Sequence, residues 1–176
     1  NSSDPIGNVI SGNTVGANGP CAGGVDTSFY AIPLTTTVNG AVAYGAVGMR
    51  ARLHTAGAGY SERAEIASGT GGNAASIAIA DNTVAVASAD TVKGSFNGDV
   101  DWAMVGLEIK PPFKLTVNTL GSGSVTLDPP DVTYSPGTVV TLTATPNAGF
   151  QFTGWSGDLS GVINPTTITM DDHKTV

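Results

Sequence analysis

Two neighbouring stretches decide the fold, KLTVNTLGSGSVTLDPP (residues 114–130) and TVVTLTATPNAGFQFTGWSGD (residues 138–158). In both of them apolar side chains alternate with threonine or serine, and glycine, proline and asparagine interrupt the runs. Alternation of this kind predicts β-strands with one buried face, and the glycine-containing segments predict the turns between them. We therefore expect the end of the chain to form a small sheet domain.

Together with NPTTITMDDHKTV (residues 164–176), these stretches resemble the divergent InlB-type B-repeat of secreted and wall-associated bacterial proteins. The resemblance implies a small β domain over residues 112–176, in which Trp155 matches the packing tryptophan of the repeat. Such repeats continue past the Lys-Thr-Val motif into one more alternating strand, whereas this sequence ends at Val176. The resemblance thus implies a sheet without its usual last strand, whose open edge would recruit a partner strand.

Residues 1–111 are also strand-rich. SIAIADNTVAVASA (residues 76–89) predicts a hairpin that turns at Asp81-Asn82, and AVAYGAVGMRARL (residues 41–53) and WAMVGLEIK (residues 102–110) predict two more strands. Many short strands with Gly, Pro and Asn turns favour a sandwich or a barrel. The fold class we predict is all-β: a glycine-rich, jelly-roll-like β-sandwich followed by the small B-repeat-like sheet domain.

Three segments of this first part, GAGYSERAEI, GGNAASIAIAD and DVDWAMVGLEIKP, resemble the second half of an uncharacterised jelly-roll-like domain of secreted bacterial proteins. The resemblance implies that the domain over residues 1–111 is incomplete alone. Lys110-Pro111-Pro112 marks the boundary, because two prolines end a strand and stiffen a short linker.

Alternation also predicts the two cores. We expect the sandwich core to contain Val42, Ile77, Ile79, Val84, Val86, Trp102, Val105 and Leu107. In the second domain we expect Trp155 to pack with Leu115, Val117, Leu142, Phe152 and Ile168.

Charge and cysteine content narrow the classes of function. Charged residues make up 12% of the chain, against about 25% in an average soluble domain. The net charge is −7 and the sequence has no basic stripe, which argues against nucleic acid and against an anionic membrane surface as partners.

No apolar run approaches the roughly 20 residues that span a bilayer, so no membrane insertion is expected. The single cysteine, Cys21, has no partner for an internal disulfide.

The sequence shows no catalytic constellation. Neither His54 nor His173 is near a motif-like serine or cysteine, as a nucleophile–base pair requires. Glu62 and Glu65 are three residues apart and are expected to face opposite sides of a strand, while Asp99 and Asp101 mark a strand entrance. We therefore predict a non-enzymatic protein without a cofactor.

Two kinds of ligand site have weak support. Calcium needs several oxygen ligands from loops, and Asp81, Asp99 and Asp101 are the candidates, although a complete ligand loop is lacking. Carbohydrate binding needs exposed aromatic rings, for which Tyr30 and Tyr60 are the candidates because both tryptophans are expected in the cores.

The favoured function is a structural or adhesive subunit of an extracellular or cell-surface bacterial filament or assembly, joined to copies of itself by strand exchange. The alternative is a carbohydrate-binding accessory module, or a fragment of a larger secreted enzyme or adhesin, that binds a surface glycan. The segments expected to pair with a neighbouring chain carry the following apolar residues: Ile6, Val9, Ile10, Val15, Ile168, Met170 and Val176.

Overall fold

The computed structural model describes residues 5–17 and 24–176. The chain forms two compact units, Ile6–Lys110 and Pro111–Val176. Strands account for more than half of the described residues, and they pair mostly antiparallel in several sheets. The predicted all-β, sandwich-like fold class is therefore confirmed. Cys21, which the sequence leaves without an internal disulfide partner, lies outside the described residues.

The first unit contains one short 3-10 turn at Gly71–Asn73 and a series of strands. These strands are β1 (Ile6–Asn13), β2 (Gly16–Ala17), β3 (Thr27–Thr35), β4 (Ala41–Arg50), β5 (His54–Ala56), β6 (Ser61–Ser68), β7 (Ala75–Val84), β8 (Ala89–Val100) and β9 (Trp102–Ile109). One sheet has the order β2-β1-β9-β4-β7-β6 and the other the order β3-β8-β5. The inner faces of the two sheets enclose a single core, which makes this unit a sandwich.

The inner face of the six-stranded sheet is built largely from small residues. Ala43, Gly45 and Val47 of β4 point inwards, as do Ala78 and Ala80 of β7. The second sheet approaches so closely that a Cβ atom on Gly45 would lie 2.4 Å from a methyl carbon of Val92. The larger side chains of this core come from the three-stranded sheet and from the central strands β4 and β9 of the six-stranded one: Tyr30, Ile32, Leu34, Val92, Phe96, Val100, Met49, Trp102 and Met104.

This packing corrects the predicted core. Trp102 and Val84 are buried as expected. The other members of the predicted set are half-buried or exposed: Val42, Ile77, Ile79, Val86, Val105 and Leu107. Alternation identified the strands but not which face was inside, because the branched residues occupy the outer face and the small ones fit beneath the second sheet.

The predicted hairpin turn at Asp81-Asn82 is also wrong. Strand β7 continues through both residues, since Asp81 and Asn82 pair with Tyr44 and Ala43 of β4. The turn comes later, between the end of β7 at Val84 and the start of β8. Two polar residues are accommodated within the strand because both side chains have partners: Asp81 accepts from Arg63, and the amide of Asn82 donates to Asp90 at 3.3 Å.

The second unit forms two small three-stranded sheets. Its strands are β10 (Phe113–Thr116), β11 (Gly123–Asp128), β12 (Thr133–Tyr134), β13 (Val139–Pro146), β14 (Thr166–Thr169) and β15 (Lys174–Thr175). One sheet has the order β12-β10-β15 and the other the order β11-β13-β14. The core of this unit consists of Phe113, Leu115, Tyr134, Val140, Leu142, Ile168, Met170 and Val176.

Trp155 differs from its expected place in that core. The indole is half-buried, while Leu115, Leu142 and Ile168 are buried without it. The expected contact with Phe152 is present, at 4.9 Å between ring centroids. Trp155 lies in the long connection between β13 and β14, so it lines the side of the unit and not its centre.

Candidate functional site

An aromatic groove lies on one side of the second unit. Its volume is about 390 Å³, within the roughly 300–1,000 Å³ of small-molecule sites. Phe150, Phe152 and Trp155 from the β13–β14 connection form one wall. The remaining walls come from β11, the end of β13 and the segment before β11. The groove therefore combines aromatic rings with polar backbone and side-chain groups.

Hydrogen bonds hold the walls of this groove in place. The backbone N–H of Trp155 donates to the carbonyl of Gly161 at 2.7 Å, and its indole N–H donates to the carbonyl of Ile163 at 2.9 Å. On the other side, the side-chain amide of Asn147 donates to Ser122 Oγ at 2.8 Å. Because the indole N–H is already used, Trp155 offers its ring surface and not its donor to the groove.

The groove carries no charged side chain among the described residues that line it. Asn118, Ser122, Ser124, Gln151 and Thr153 supply amide and hydroxyl groups instead. In a chain of net charge −7, such a surface suits an uncharged ligand with its own hydroxyl or amide groups.

A second candidate surface is the outer face of the six-stranded sheet, which we call the outer face. Paired residues place Val9, Leu107 and Tyr44 in one row, and Val105, Ala46 and Ile79 in the next. Six large aliphatic residues of the outer face are between 37% and 65% exposed: Ile6, Val9, Ile66, Ile77, Val105 and Ile109. Contiguous exposed apolar surface of this kind marks an interaction site more often than scattered apolar residues do.

One ion pair lies on the outer face. Arg63 Nε and Asp81 Oδ2 are 2.7 Å apart, and Arg63 Nη2 donates to Asp81 Oδ1 at the same distance. The side-chain hydrogen bond to Asp81, with the attraction of that carboxylate, raises the pKa of Arg63. Both charges are thus compensated within the face.

The structure brings together one polar cluster that the sequence did not predict. His54 Nδ1 lies 2.6 Å from Glu62 Oε2, and His54 Nε2 lies 2.9 Å from the hydroxyl of Tyr30. The backbone N–H of His54 donates to Glu65 at 2.9 Å. Because a carboxylate only accepts, Nδ1 donates to Glu62, and the second ring nitrogen, Nε2, is left to bond the Tyr30 hydroxyl.

A carboxylate, an imidazole and a hydroxyl follow one another here as in a catalytic relay, but the imidazole and the hydroxyl are buried where a substrate would not reach them. The His54 side chain is 0% exposed and Tyr30 is 3% exposed. Burial, with the nearby Glu62 carboxylate, raises the pKa of Tyr30 to about 12. The phenol therefore stays protonated at neutral pH, and the cluster satisfies buried polar groups in the core.

A β-bulge explains why sequence spacing missed the cluster. The register of β6 against β7 shifts between Glu62 and Ala64, so Glu62 pairs with Ala80 and Glu65 with Ala78. Both glutamates consequently face inwards, and our prediction that they face opposite sides is wrong. A bulge adds one residue to a strand and reverses the alternation beyond it.

The predicted sugar-stacking residues are both enclosed. Tyr30 is in the core, and Tyr60 is 8% exposed with its hydroxyl donating to Asp90 at 2.9 Å. Burial and that hydrogen bond raise the pKa of Tyr60. Neither ring can stack on a sugar, so this prediction is wrong. The rings of the aromatic groove were missed because Trp155 had been placed in the core.

The calcium candidates do not form a site in the described part of the chain. Asp81 is paired with Arg63, and Asp101 accepts from the hydroxyl of Thr14. Asp99 presents its backbone carbonyl to Arg52. Within residues 5–17 and 24–176, no three His, Cys, Asp or Glu side chains lie together in a way that could hold a metal ion.

The expected assembly residues divide into two groups. Ile6, Val9 and Ile10 belong to β1, which pairs with β9 of its own chain, and Val15 follows that strand with 45% exposure. The C-terminal residues Ile168, Met170 and Val176 are buried in the second unit. Only Ile6, Val9 and Val15 therefore present large apolar surface to solvent.

His173 is structural as well. Its Nδ1 accepts from the backbone N–H of Lys114 at 2.9 Å, and the ring packs edge-on against Phe113 at 5.7 Å between centroids. These contacts tie the segment before β15 to the start of β10.

Comparison with known families gives one match, between residues 113–176 and the divergent InlB B-repeat domain. This family occurs in bacterial surface proteins. The second unit is thus similar to a module found in bacterial surface proteins, and more particularly to the B-repeat domain. The match confirms the resemblance we stated for this part of the chain.

The first unit has no such support. The resemblance to an uncharacterised jelly-roll-like domain is not confirmed. No curated protein matches the chain, and no solved structure matches it. Among the described residues, none of the helical structure is long and apolar enough to cross a membrane.

Proposed function

We propose that this chain is a non-enzymatic structural or adhesive module of a bacterial surface protein, located outside the cell or on its surface, that joins to further copies of itself. The observation that carries the proposal is the apolar outer face. Its exposed apolar side chains extend from Val105 of β9 to Ile77 of β7 and Ile66 of β6, and each of these three is at least 47% exposed. A partner that covered them would remove that surface from water, at roughly 25 cal/mol per Å².

The size of the outer face fits an interface between two copies. Neighbouring strands lie about 4.8 Å apart and each residue extends a strand by roughly 3.3 Å. The five long strands of this sheet therefore give a face of roughly 600–700 Å². A stable interface buries about 800 Å² on each partner. Side chains at the rim of the sheet would supply the remainder.

The local charge of the outer face is compatible with a second copy as the partner. Two chains of net charge −7 repel each other, so a self-association surface should hold no uncompensated carboxylate. Asp81 of the outer face is paired with Arg63. Two-fold symmetry would place the same apolar rows against each other, which is the commonest arrangement of homodimers.

Strand addition is a second contact that would extend such pairs into a filament. Strand β14 lies at the end of its sheet beside β13 and contains no charged residue. Met170 exchanges hydrogen bonds with the segment before β13, so by alternation Thr167 directs its backbone groups away from β13. The carbonyl of the next outward residue, Thr169, already accepts from the N–H of Asp171 at 3.2 Å. In contrast, β6 carries charges and a bulge, which are features that protect an edge.

Sedimentation velocity tests the self-association. Val105→Asp places a carboxylate in the centre of the outer face and should convert the associated protein to monomer. Val86→Asp is the matched control, because Val86 is 69% exposed and lies outside the sheet. Equal sedimentation of the wild type and both variants as folded monomers would overturn the proposal.

Electron microscopy separates the two contacts. Thr167→Pro removes an outward backbone donor of β14 and should leave dimers while abolishing filaments. If filaments persist in Thr167→Pro and disappear in Val105→Asp, the strand-addition contact is contradicted and the outer-face contact is supported.

A further inference from the structure

The aromatic groove of the second unit is a ligand site independent of self-association. We infer that it binds a neutral glycan. The inference rests on the groove's ring surfaces, on its uncharged polar groups and on the bonds that fix its walls, all of which come from one unit.

The ring surfaces supply a stacking platform. Phe152 and Trp155 meet at 4.9 Å with their planes at 58°, and Phe150 is 54% exposed beside them. A pyranose ring has C–H groups on its faces, which pack on aromatic rings, and hydroxyl groups around its edge. Trp155 suits this contact because its N–H donates to Ile163, leaving the ring surface as its available part.

The polar groups of the groove match the edge of a sugar. Asn118 and Gln151 carry side-chain amides, and Ser122, Ser124 and Thr153 carry hydroxyls. Each of these groups can both donate and accept, as a sugar hydroxyl can. A charged lining would be expected for a sulfated or uronic acid polymer, whereas this lining has no Lys, Arg or His.

Hydrogen bonds also fix the walls of the groove before a ligand binds. Asn147 links the turn after β13 to Ser122 through its side chain, and its backbone N–H donates to the Ser122 carbonyl at 3.2 Å. The backbone N–H of Phe150 donates to the carbonyl of Asn147 at 3.0 Å. Fixed walls reduce the entropy lost on binding, which matters for a ligand that gains little from each contact.

Nuclear magnetic resonance of the full chain tests this inference. The indole N–H signals of Trp155 and Trp102 report separately on the groove and on the sandwich core, so Trp102 is an internal control. Titration with neutral hexasaccharides of β-linked glucose, β-linked N-acetylglucosamine and α-linked mannose should move the Trp155 signal and leave Trp102 unchanged. Heparin and an uncharged proline-rich peptide are the comparison ligands.

Substitution locates the site. Phe150→Ala removes an exposed ring and should weaken glycan binding about tenfold, which corresponds to roughly 1.4 kcal/mol. Phe29→Ala is the matched control, since Phe29 is 62% exposed in the other unit. The inference is overturned if none of the three hexasaccharides shifts Trp155 at millimolar concentration, or if heparin or the peptide binds more tightly than they do. Because Val105→Asp leaves the groove intact, glycan binding by that variant separates this site from self-association.

Discussion

Val92 of β8 packs directly over the bare backbone of Gly45 in β4. A Cβ atom at position 45 would lie 2.4 Å from Val92 Cγ1, closer than side chains approach in folded proteins. The spacing between the two sheets of the sandwich is therefore set by a glycine on one sheet and a valine on the other.

Gly45→Ala should lower the free energy of unfolding by about 1–3 kcal/mol, since an overpacked core must shift its backbone or its rotamers. Chemical denaturation measures this change. Gly48→Ala is the control in the same strand, because its Cβ would lie 3.8 Å from the nearest atom. Equal stability of the two variants would show that the sheets are farther apart than described. Combining Gly45→Ala with Val92→Ala should recover part of the loss.

Trp102→Ala should cost about 3–5 kcal/mol of folding stability. The side chain is 6% exposed, and its indole N–H donates to Thr27 Oγ1 at 2.8 Å. Val105→Ala, in the same strand with 50% exposure, should change the stability of the monomer much less. If thermal unfolding places the two variants at the same midpoint, the orientation of β9 is wrong.

Glu108→Gln should destabilise the sandwich by about 1–3 kcal/mol, because a carboxylate that accepts several donors is replaced by a group that also donates. Glu108 is 0% exposed and accepts from the backbone N–H of Thr37 at 2.6 Å, from its hydroxyl at 2.9 Å and from the N–H of Asn8 at 3.2 Å. Thr37→Val retains the backbone donor and should cost less. A larger loss in Thr37→Val than in Glu108→Gln would contradict this account of the hydrogen bonds to Glu108.

Stability should fall in alkali. Burial, followed by the Glu62 carboxylate, raises the pKa of Tyr30 from 10.0 to about 12. Since the folded state holds this proton more tightly than the unfolded state, the contribution is complete below the unfolded pKa and is lost as the pH rises from 10.0 towards 12. Urea denaturation over this range should give a shallower decline for Tyr30→Phe than for the wild type.

Part of this architecture could be predicted from the sequence and part could not. Alternation located the strands because it reflects a physical period of two residues. It could not decide between the two faces of β7, where Ile77 and Ile79 point outwards and Ala78 and Ala80 inwards. That choice depends on how closely the second sheet approaches.

The polar cluster was unpredictable for a related reason. Its assembly requires the bulge after Glu62, for which the sequence carries no signal. It also requires a contact between His54 and Tyr30, which belong to different strands. The aromatic groove was missed through a resemblance that placed Trp155 in a core. The segment GFQFTGW nevertheless carried the signal, since it holds three aromatic residues within a glycine-bounded connection.

Site-specific cross-linking tests the central claim, that the outer face joins two copies, most directly. In a Cys21→Ser background, Val105→Cys should form a covalent dimer under mild oxidation, because two-fold packing brings the centres of the two faces together. Val86→Cys is as accessible but lies outside the sheet, and it should remain monomeric. Efficient dimerisation through Val105→Cys alone is the result that this account predicts; equal yields from the two positions, or none from Val105→Cys, would contradict it.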